Sequence, residues 1–204
     1  MNIFKKPLAI LILLVDYVPF EADPYKIYEP RSGKPDRISS YDTKRGNDDF
    51  VMIPKNTSVV IAEKIGSGMI THIWMTLSSK DPMIKRNAVI KIYWDGLEFP
   101  SVEVPIGDFF GQGFGEEYLV NSQYIVAAPK KGKSWNSYFA MPFSKGFKIV
   151  IDNQSDMDIP NLYFYIDFEV YGKKPSSELR FHSFWNRSLT EPASADQREN
   201  EWAL

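Results

Sequence analysis

Six carboxylate side chains in two polar loops are the residues of this sequence best suited to acid–base chemistry. Cleavage of a glycosidic bond needs two carboxyl groups about 5 to 9.5 Å apart, one acting as an acid and the other as a nucleophile or base. The loops could supply such a pair if they converge in the fold. Equally, these acids could cap turns and accept hydrogen bonds from backbone amides. They are Asp42, Asp48 and Asp49 in the loop 36–49, and Asp108, Glu116 and Glu117 in the loop 105–117.

Aromatic and planar polar side chains near the turns suggest a second chemistry, the binding of sugars. Aromatic faces stack on the apolar faces of sugar rings, while planar polar groups bond the hydroxyls. Most aromatic residues of an all-β chain belong to its core, so each candidate could equally be a core residue. The candidates are Phe109, Phe110, Phe114, Trp135 and Trp185, with Arg45, Asn47 and Asn136 as polar partners.

The composition excludes several other kinds of site. The chain has no cysteine, which rules out Cys-based zinc sites, iron–sulfur clusters and thiol nucleophiles. Its two histidines, His72 and His182, lie far apart and leave little material for a His-based triad. Asp42, Asp48 and Asp49 could offer oxygen ligands to calcium, but their spacing matches no EF-hand loop. No metal or cofactor is therefore expected.

The charge balance is that of a folded domain of ordinary size. The 204 residues include 24 Lys and Arg against 26 Asp and Glu, and 44% are hydrophobic. Such a chain has enough apolar material for one core, which argues against disorder. Without a basic excess there is little attraction to phosphates, so nucleic acid is not an expected partner.

The N-terminal residues 1–22 have the pattern of a secretory signal peptide. Lys5 and Lys6 precede an apolar stretch at 7–15 that is too short to span a bilayer. We therefore expect an exported protein, periplasmic or extracellular, with no membrane contact after cleavage. No small-x-small motif marks the cleavage position, and a buried N-terminal strand is the alternative.

Short segments with alternating side chains dominate the chain from residue 58 onward, and no long helical repeat is present. In 88–94, Ala88, Ile90, Ile92 and Trp94 fall on one face, and in 70–77 the same alternation groups Ile70 with His72, Trp74 and Thr76. This pattern predicts an all-β fold, an antiparallel β-sandwich of the jelly-roll type, with an immunoglobulin-like sandwich as the alternative. The predicted strands are 58–64, 70–77, 88–94, 101–104, 124–127, 137–141, 147–152, 162–171 and 179–185.

The predicted organisation has four parts. After the signal peptide, residues 23–57 form an N-terminal extended segment and polar loop, and residues 58–185 form the jelly-roll domain. Residues 186–204 turn polar and read as a truncated linker.

Several of these segments resemble glycoside hydrolase family 172, formerly a domain of unknown function numbered 2961. The resemblance covers about residues 36–185 and is most specific in the run that contains Asp108. The segments that carry it are ISSYD (38–42), RGNDD (45–49), GSGMITHIWMT (66–76), RNAV (86–89), YWDG (93–96), PSVEVPIGDFFG (100–111) and NSYFAMPF (136–143).

The resemblance implies a double jelly-roll subunit that assembles into trimers or hexamers, with pockets near subunit boundaries. It also implies a retaining, metal-independent enzyme acting on α-D-fructofuranosides, difructose anhydrides or α-D-arabinofuranosides. In the family both catalytic glutamates lie in the second jelly roll, so no catalytic residue is assigned here. The resemblance implies a substrate-facing role for Asp42, Arg45, Asn47, Asp48 and Asp108 as polar contacts and for Phe109 and Phe110 as walls.

The sequence is thus expected to be the N-terminal portion of a retaining furanosidase, inactive by itself. Its expected partners are furanose-containing oligo- or polysaccharides and further copies of the chain. The main alternative is a non-catalytic carbohydrate-binding or assembly module. A capsid-like structural protein is a third possibility, because jelly rolls also build shells. Which furanoside and which linkage are recognised stays open.

Overall fold

The protein is known from a computed structural model, which describes residues 33–172 and 179–188. The predicted signal peptide therefore lies outside the described residues, as does the tail beyond 188. In the described part of the chain, no helix is long and apolar enough to cross a membrane.

Strands make up most of the described structure, with two one-turn helices and one 3₁₀ turn, Gly113–Gly115, between them. The helices are α1 (Ile84–Asn87) and α2 (Ile106–Phe109). The strands are β1 (Lys34–Ser39), β2 (Val51–Ile53), β3 (Thr57–Ile65), β4 (Ser67–Ser78), β5 (Ala88–Trp94), β6 (Val102–Pro105), β7 (Val120–Asn121), β8 (Ile125–Ala128), β9 (Ser134–Ser137), β10 (Met141–Phe143), β11 (Gly146–Asn153), β12 (Ile159–Tyr171) and β13 (Ser183–Phe184).

Two sheets pack face to face around one core, which confirms the predicted all-β sandwich. The larger sheet, sheet A, has the order β1-β12-β4-β9-β8-β7, with β2 also paired to β12 and β10 also paired to β4. The smaller sheet, sheet B, has the order β13-β6-β5-β11-β3. Pairing is antiparallel throughout except between β13 and β6, which are parallel. The chain crosses repeatedly between the sheets, as in a jelly roll.

Alternation along the strands places large apolar side chains between the sheets. In β5, Ala88, Ile90, Ile92 and Trp94 are all fully buried, as their period of two predicts. From sheet A, Phe164, Ile166 and Phe168 of β12 project into the same core.

A β-bulge changes the predicted faces of β4. Asp167 of β12 lies opposite His72, but the next residue, Phe168, lies opposite Ile70, so Thr71 is the extra residue of β4. Ile70 therefore points into the core, where Ile73 and Met75 also lie, instead of sharing the outer face with His72. The alternation of side chains in the sequence cannot predict that Ile70 changes face, because the bulge interrupts this alternation at Thr71.

Two further features differ from the sequence-based expectations. The sandwich begins before residue 58, because β1 and β2 both pair with β12. The strand predicted at 137–141 is wrong, since β9 ends at Ser137 and β10 begins at Met141. β9 pairs with residues 73–75 of β4, and β10 pairs with residues 68–70 of the same strand. Residues 138–140 connect β9 to β10 and belong to neither strand.

Candidate functional site

The two acid-rich loops adjoin opposite edges of sheet A. The first loop joins β1 to β2, which both lie against β12, whereas the second leaves β6 of sheet B and leads into β7 at the far edge of sheet A. Strands β12, β4, β9 and β8 lie between these edges, each about 4.8 Å from the next. The fold therefore does not bring the acids of the two loops together as a pair.

Acids of the first loop bond to backbone amides of the loop itself. The Asp49 carboxylate accepts a hydrogen bond from the Asp42 amide at 2.7 Å, and the Asp42 carboxylate accepts one from the Lys44 amide at 2.8 Å. These are the contacts expected if the acids cap turns and bond backbone amides, which is the alternative to a catalytic role. Arg45, Asn47 and Asp48 are exposed on the same loop, and their role as substrate contacts stays a prediction.

Phe109 and Phe110 lie in the core and not on a binding surface. Phe110 is 0% exposed and stacks on Trp135, with ring centroids 5.6 Å apart. Phe109 packs edge-on against Phe110 and against Phe181. A fully buried ring has no surface to offer a sugar, so Phe110 cannot wall a site in this domain.

Gln112 fixes the second loop to the turn between β8 and β9. Its side chain is buried, and its amide nitrogen donates to the carbonyl oxygens of Tyr118, Lys131 and Gly132 at 2.6 to 3.2 Å. Its amide oxygen accepts the indole N–H of Trp135 at 2.9 Å. The two amide hydrogens of Gln112 are thus shared among three carbonyl oxygens. Through these bonds Gln112 connects the second loop to the segment that contains Lys131 and Gly132.

An ion pair joins α1 to α2 at one end of the sandwich. Nη1 of Arg86 lies 3.3 Å from Oδ2 of Asp108, and both side chains are largely buried. Both atoms are enclosed by the protein and neither makes a hydrogen bond. The two side chains are therefore held together by their opposite charges, and Nη1 of Arg86 and Oδ2 of Asp108 have no hydrogen-bond partner.

Two aromatic rings flank the guanidinium of Arg86. The Trp185 ring centroid lies 4.9 Å from Cζ of Arg86, and that of Phe114 lies 5.6 Å away. Phe114 is 82% exposed and Trp185 is 40% exposed, so each presents ring surface to solvent. Phe114 adopts φ 63° between two glycines, a left-handed conformation that turns its ring outward.

These residues line a cleft of about 620 Å³, called here the Arg86 cleft. Burial raises the pKa of Asp108, while the positive charge of Arg86 and a hydrogen bond from Trp185 act in the opposite direction. The cleft is lined by Met83, Arg86, Asn87, Asp108, Phe114, Trp185, Asn186 and Arg187.

The lining of the Arg86 cleft defines what it can do chemically. Exposed rings beside amide, guanidinium and carboxyl groups suit a sugar ring with its hydroxyls. Among the described residues that line the cleft, Asp108 is the one carboxyl group, whereas glycoside hydrolysis requires two. Among the described residues, no three His, Asp or Glu side chains converge as metal ligands. The described lining of the cleft thus has the groups needed to bind a sugar ring.

Comparison with known protein families shows the family to which this chain belongs. Residues 32–191 match the model of the GH172 first beta-sandwich domain, where GH172 is glycoside hydrolase family 172. The chain belongs to this family. The match confirms the resemblance carried by the segments between 38 and 143, and it makes the GH172 sandwich a module related to glycoside hydrolases. No match was found among curated proteins.

Part of the Arg86 cleft of this GH172 sandwich is foreseeable from sequence. Asp108, Phe114 and Trp185 are among the sequence candidates, and Arg86 lies in one of the segments that resemble the family. The role of Gln112 was missed. Its position between Gly111 and Gly113, in a loop with no strand pattern, is the signal that could have indicated a polar anchor.

A second ion pair of the GH172 sandwich, between Lys85 and Glu117, serves a structural purpose. Nζ of the buried Lys85 lies 3.3 Å from a carboxylate oxygen of Glu117 and donates to the backbone carbonyl of Glu116. These contacts tie the second loop to α1. Glu117 therefore forms an ion pair with Lys85.

Proposed function

We propose that this GH172 sandwich is the non-catalytic, sugar-contacting part of a retaining α-furanosidase. Its Arg86 cleft holds a furanose ring of an α-D-fructofuranoside or an α-D-arabinofuranoside. The nucleophilic and acid/base carboxyls come from outside this sandwich, from a further domain or from another subunit of a trimer or hexamer. Export of the protein would place the cleft where plant or microbial polysaccharides are degraded.

The observation that supports this proposal is the presence of a single carboxyl group in an aromatic-rimmed cleft. Oδ2 of Asp108 and Nη1 of Arg86 are enclosed by the protein. The other carboxylate oxygen of Asp108 can accept hydrogen bonds from sugar hydroxyls, and the other guanidinium nitrogens of Arg86 can donate them. Phe114 and Trp185 offer ring faces for stacking. A retaining mechanism needs a second carboxyl about 5 Å away, and the described residues of the cleft lining do not include one.

The same observation also supports a carbohydrate-binding module with no enzymatic partner, the second candidate function. Both candidates require sugar binding in the Arg86 cleft. They differ in whether catalytic carboxyls are supplied to it from elsewhere.

Binding and turnover can be measured separately on the 204-residue chain. We expect no release of p-nitrophenol from p-nitrophenyl α-D-arabinofuranoside above the rate in buffer. We expect the indole resonance of Trp185 to shift in NMR spectra on titration with methyl α-D-arabinofuranoside or methyl α-D-fructofuranoside. Asp108→Asn should weaken that binding about tenfold, and Asp156→Asn, at an exposed position far along the chain, serves as the matched control.

Two results would overturn the proposal. Turnover by the wild-type chain that disappears in Asp108→Asn would make the cleft catalytic. Unchanged Trp185 resonances at millimolar concentrations of both glycosides would remove sugar binding from it.

A further inference from the structure

The outer faces of the two sheets differ sharply in chemistry. On sheet B, Nζ of Lys91 lies between the carboxylates of Glu103 and Asp152 at 3.2 and 2.9 Å, and Lys148 lies over Tyr93. Flexible lysines and acids of this kind are typical of plain solvent-facing surfaces. Sheet A instead presents Tyr, Trp, His, Arg and Asn, whose planar groups can stack on sugar rings and bond their hydroxyls.

Six residues of sheet A form a continuous outer strip across four strands. Arg37 comes from β1, Asp167 and Tyr165 from β12, and His72 and Trp74 from β4, and Tyr138 directly follows β9. With strands about 4.8 Å apart, the strip extends about 15 Å across the sheet. It shares no residue with the Arg86 cleft.

The polar members of the outer strip hold one another in place. Arg37 donates through Nε and Nη2 to the two oxygens of Asp167, the second bond measuring 3.1 Å. The ring of His72 lies between Asp167, 3.0 Å from Nδ1, and Asn136, 3.1 Å from Nε2. Hydrogen bonds from Arg37 and His72 outweigh the effect of burial and keep the pKa of Asp167 below its ordinary value. These planar groups are fixed before any ligand arrives.

The aromatic members of the outer strip form two short stacks. Trp74 and Tyr165 stack with centroids 4.7 Å apart, and the Arg37 guanidinium lies 4.7 Å from the Tyr165 centroid. Tyr138 stacks on His72 at 4.7 Å and is 47% exposed. One face of Tyr138 therefore rests on His72, while about half of its surface remains accessible to a ligand.

We propose that the outer strip binds a neutral polysaccharide chain and that this site is separate from the Arg86 cleft. Tyr138 supplies the stacking face for one sugar ring. The Tyr165 hydroxyl and the Arg37 nitrogen not directed at Asp167 bond the hydroxyls of neighbouring rings. The chain lies across the strands, because the strip runs in that direction and is longer than one sugar ring.

Charge and composition favour a neutral glycan over other occupants. The formal charge of Arg37 is cancelled by Asp167, so the strip has little excess charge with which to attract a polyanion. None of its six residues is aliphatic, whereas obligate interfaces between subunits are rich in apolar side chains. Fixed planar polar groups beside aromatic rings instead match the hydroxyls and apolar faces of sugars.

Affinity electrophoresis of the 204-residue chain tests this inference. Soluble arabinan and inulin are the neutral probes, and polygalacturonate is the anionic one. We expect the neutral polymers to retard the wild-type chain, and we expect Tyr138→Ala to reduce the apparent affinity at least tenfold. Tyr165→Phe, which removes only a hydroxyl, should reduce it about threefold while leaving the fold intact. Tyr93→Ala, on the outer face of sheet B, should bind like the wild type.

Several outcomes would overturn the inference. Retardation by neither neutral polymer would do so, as would stronger retardation by polygalacturonate than by both of them. Affinity that falls in Arg86→Met but is unchanged in Tyr138→Ala and Tyr165→Phe would place the polymer in the Arg86 cleft. Because the cleft is tested with monomeric glycosides and the strip with polymers, either proposal can fail without the other. Thermal unfolding of each variant verifies that it is folded.

Discussion

Arg86 lies 3.3 Å from Asp108, and this ion pair joins the two short helices that border the candidate cleft. Asp108 and Arg86 both lie in segments for which the sequence pattern predicts loops. Removing either partner leaves the other as a lone charge in a largely buried position. The pair therefore contributes both to the stability of this end of the sandwich and to the charge of its cleft, which Arg187 also lines.

Replacing Arg86 by Met should destabilise the domain in a pH-dependent way. Without Arg86, burial of Asp108 is unopposed by a positive charge, so its pKa in the folded state rises further above the unfolded value. The penalty is then fully present above that raised pKa and disappears as the pH falls below the unfolded pKa near 4. We expect a loss of about 3 kcal/mol at pH 7 and a much smaller loss at pH 4, measured by urea unfolding.

The double variant Arg86→Met/Asp108→Asn provides the control for this prediction. It has no isolated charge, so its stability relative to the wild type should not share the pH dependence of the single variant. A single variant whose loss is equal at pH 7 and pH 4 would contradict the expected linkage.

Replacing Gln112 by Leu should destabilise the second loop strongly. The buried indole N–H of Trp135 would lose its acceptor, and the carbonyl oxygens of Tyr118, Lys131 and Gly132 would lose their donor. Each buried group left without a partner costs about 1 to 3 kcal/mol, so we expect a total loss of at least 3 kcal/mol in guanidinium unfolding. Gln154→Leu, at an exposed position, should change stability by less than about 0.5 kcal/mol. Equal effects of the two substitutions would refute the anchoring role of Gln112.

Replacing Asp95 by Asn should weaken the opposite end of the sandwich. One oxygen of Asp95 accepts hydrogen bonds from the amides of Ser144, Lys145 and Gly146, and the other accepts one from Nε of Arg180 at 2.7 Å. Burial alone would raise the pKa of Asp95, but these bonds outweigh burial and lower it. An asparagine NH₂ would face the Arg180 donor, so we expect a loss of about 2 kcal/mol at neutral pH.

The Asp95→Asn effect should fade in acid. The stabilisation that a carboxylate with a lowered pKa provides is complete above the unfolded pKa of about 3.9 and is lost as the pH falls through the folded value. Unfolding experiments at pH 7 and pH 3 should therefore show a smaller difference from the wild type at pH 3. Glu98→Gln, on the same turn, should show no such trend, and a constant difference for Asp95→Asn would contradict the assignment.

Replacing Gly68 by Ala should destabilise the centre of sheet A. A Cβ at this position would overlap the backbone oxygen of Glu169 and lie 2.7 Å from Cζ of Phe143. Overpacking of this kind costs about 1 to 3 kcal/mol. A Cβ at Gly172 would meet no atom within 4 Å, so Gly172→Ala should leave the melting temperature almost unchanged. A larger loss for Gly172→Ala than for Gly68→Ala would show that the packing at Gly68 is misassigned.

The sequence by itself determined the fold class, most of the strands and the family. Alternation is a local consequence of the pleat, so β5 and the inner face of β12 could be read from their side chains alone. The absence of cysteine excluded whole classes of site, and the segments around Asp108 carried the resemblance that the family comparison confirmed.

Only the tertiary structure decided which residues meet. Strand order depends on pairings between distant segments, and it places the first acidic loop beside β12 and the second beside β7. The same long-range packing buries Phe110 on Trp135 and brings Trp185 over Arg86. Likewise, the bulge at Thr71 reverses the predicted side of Ile70 because it is defined by the register with β12 and not by β4 alone.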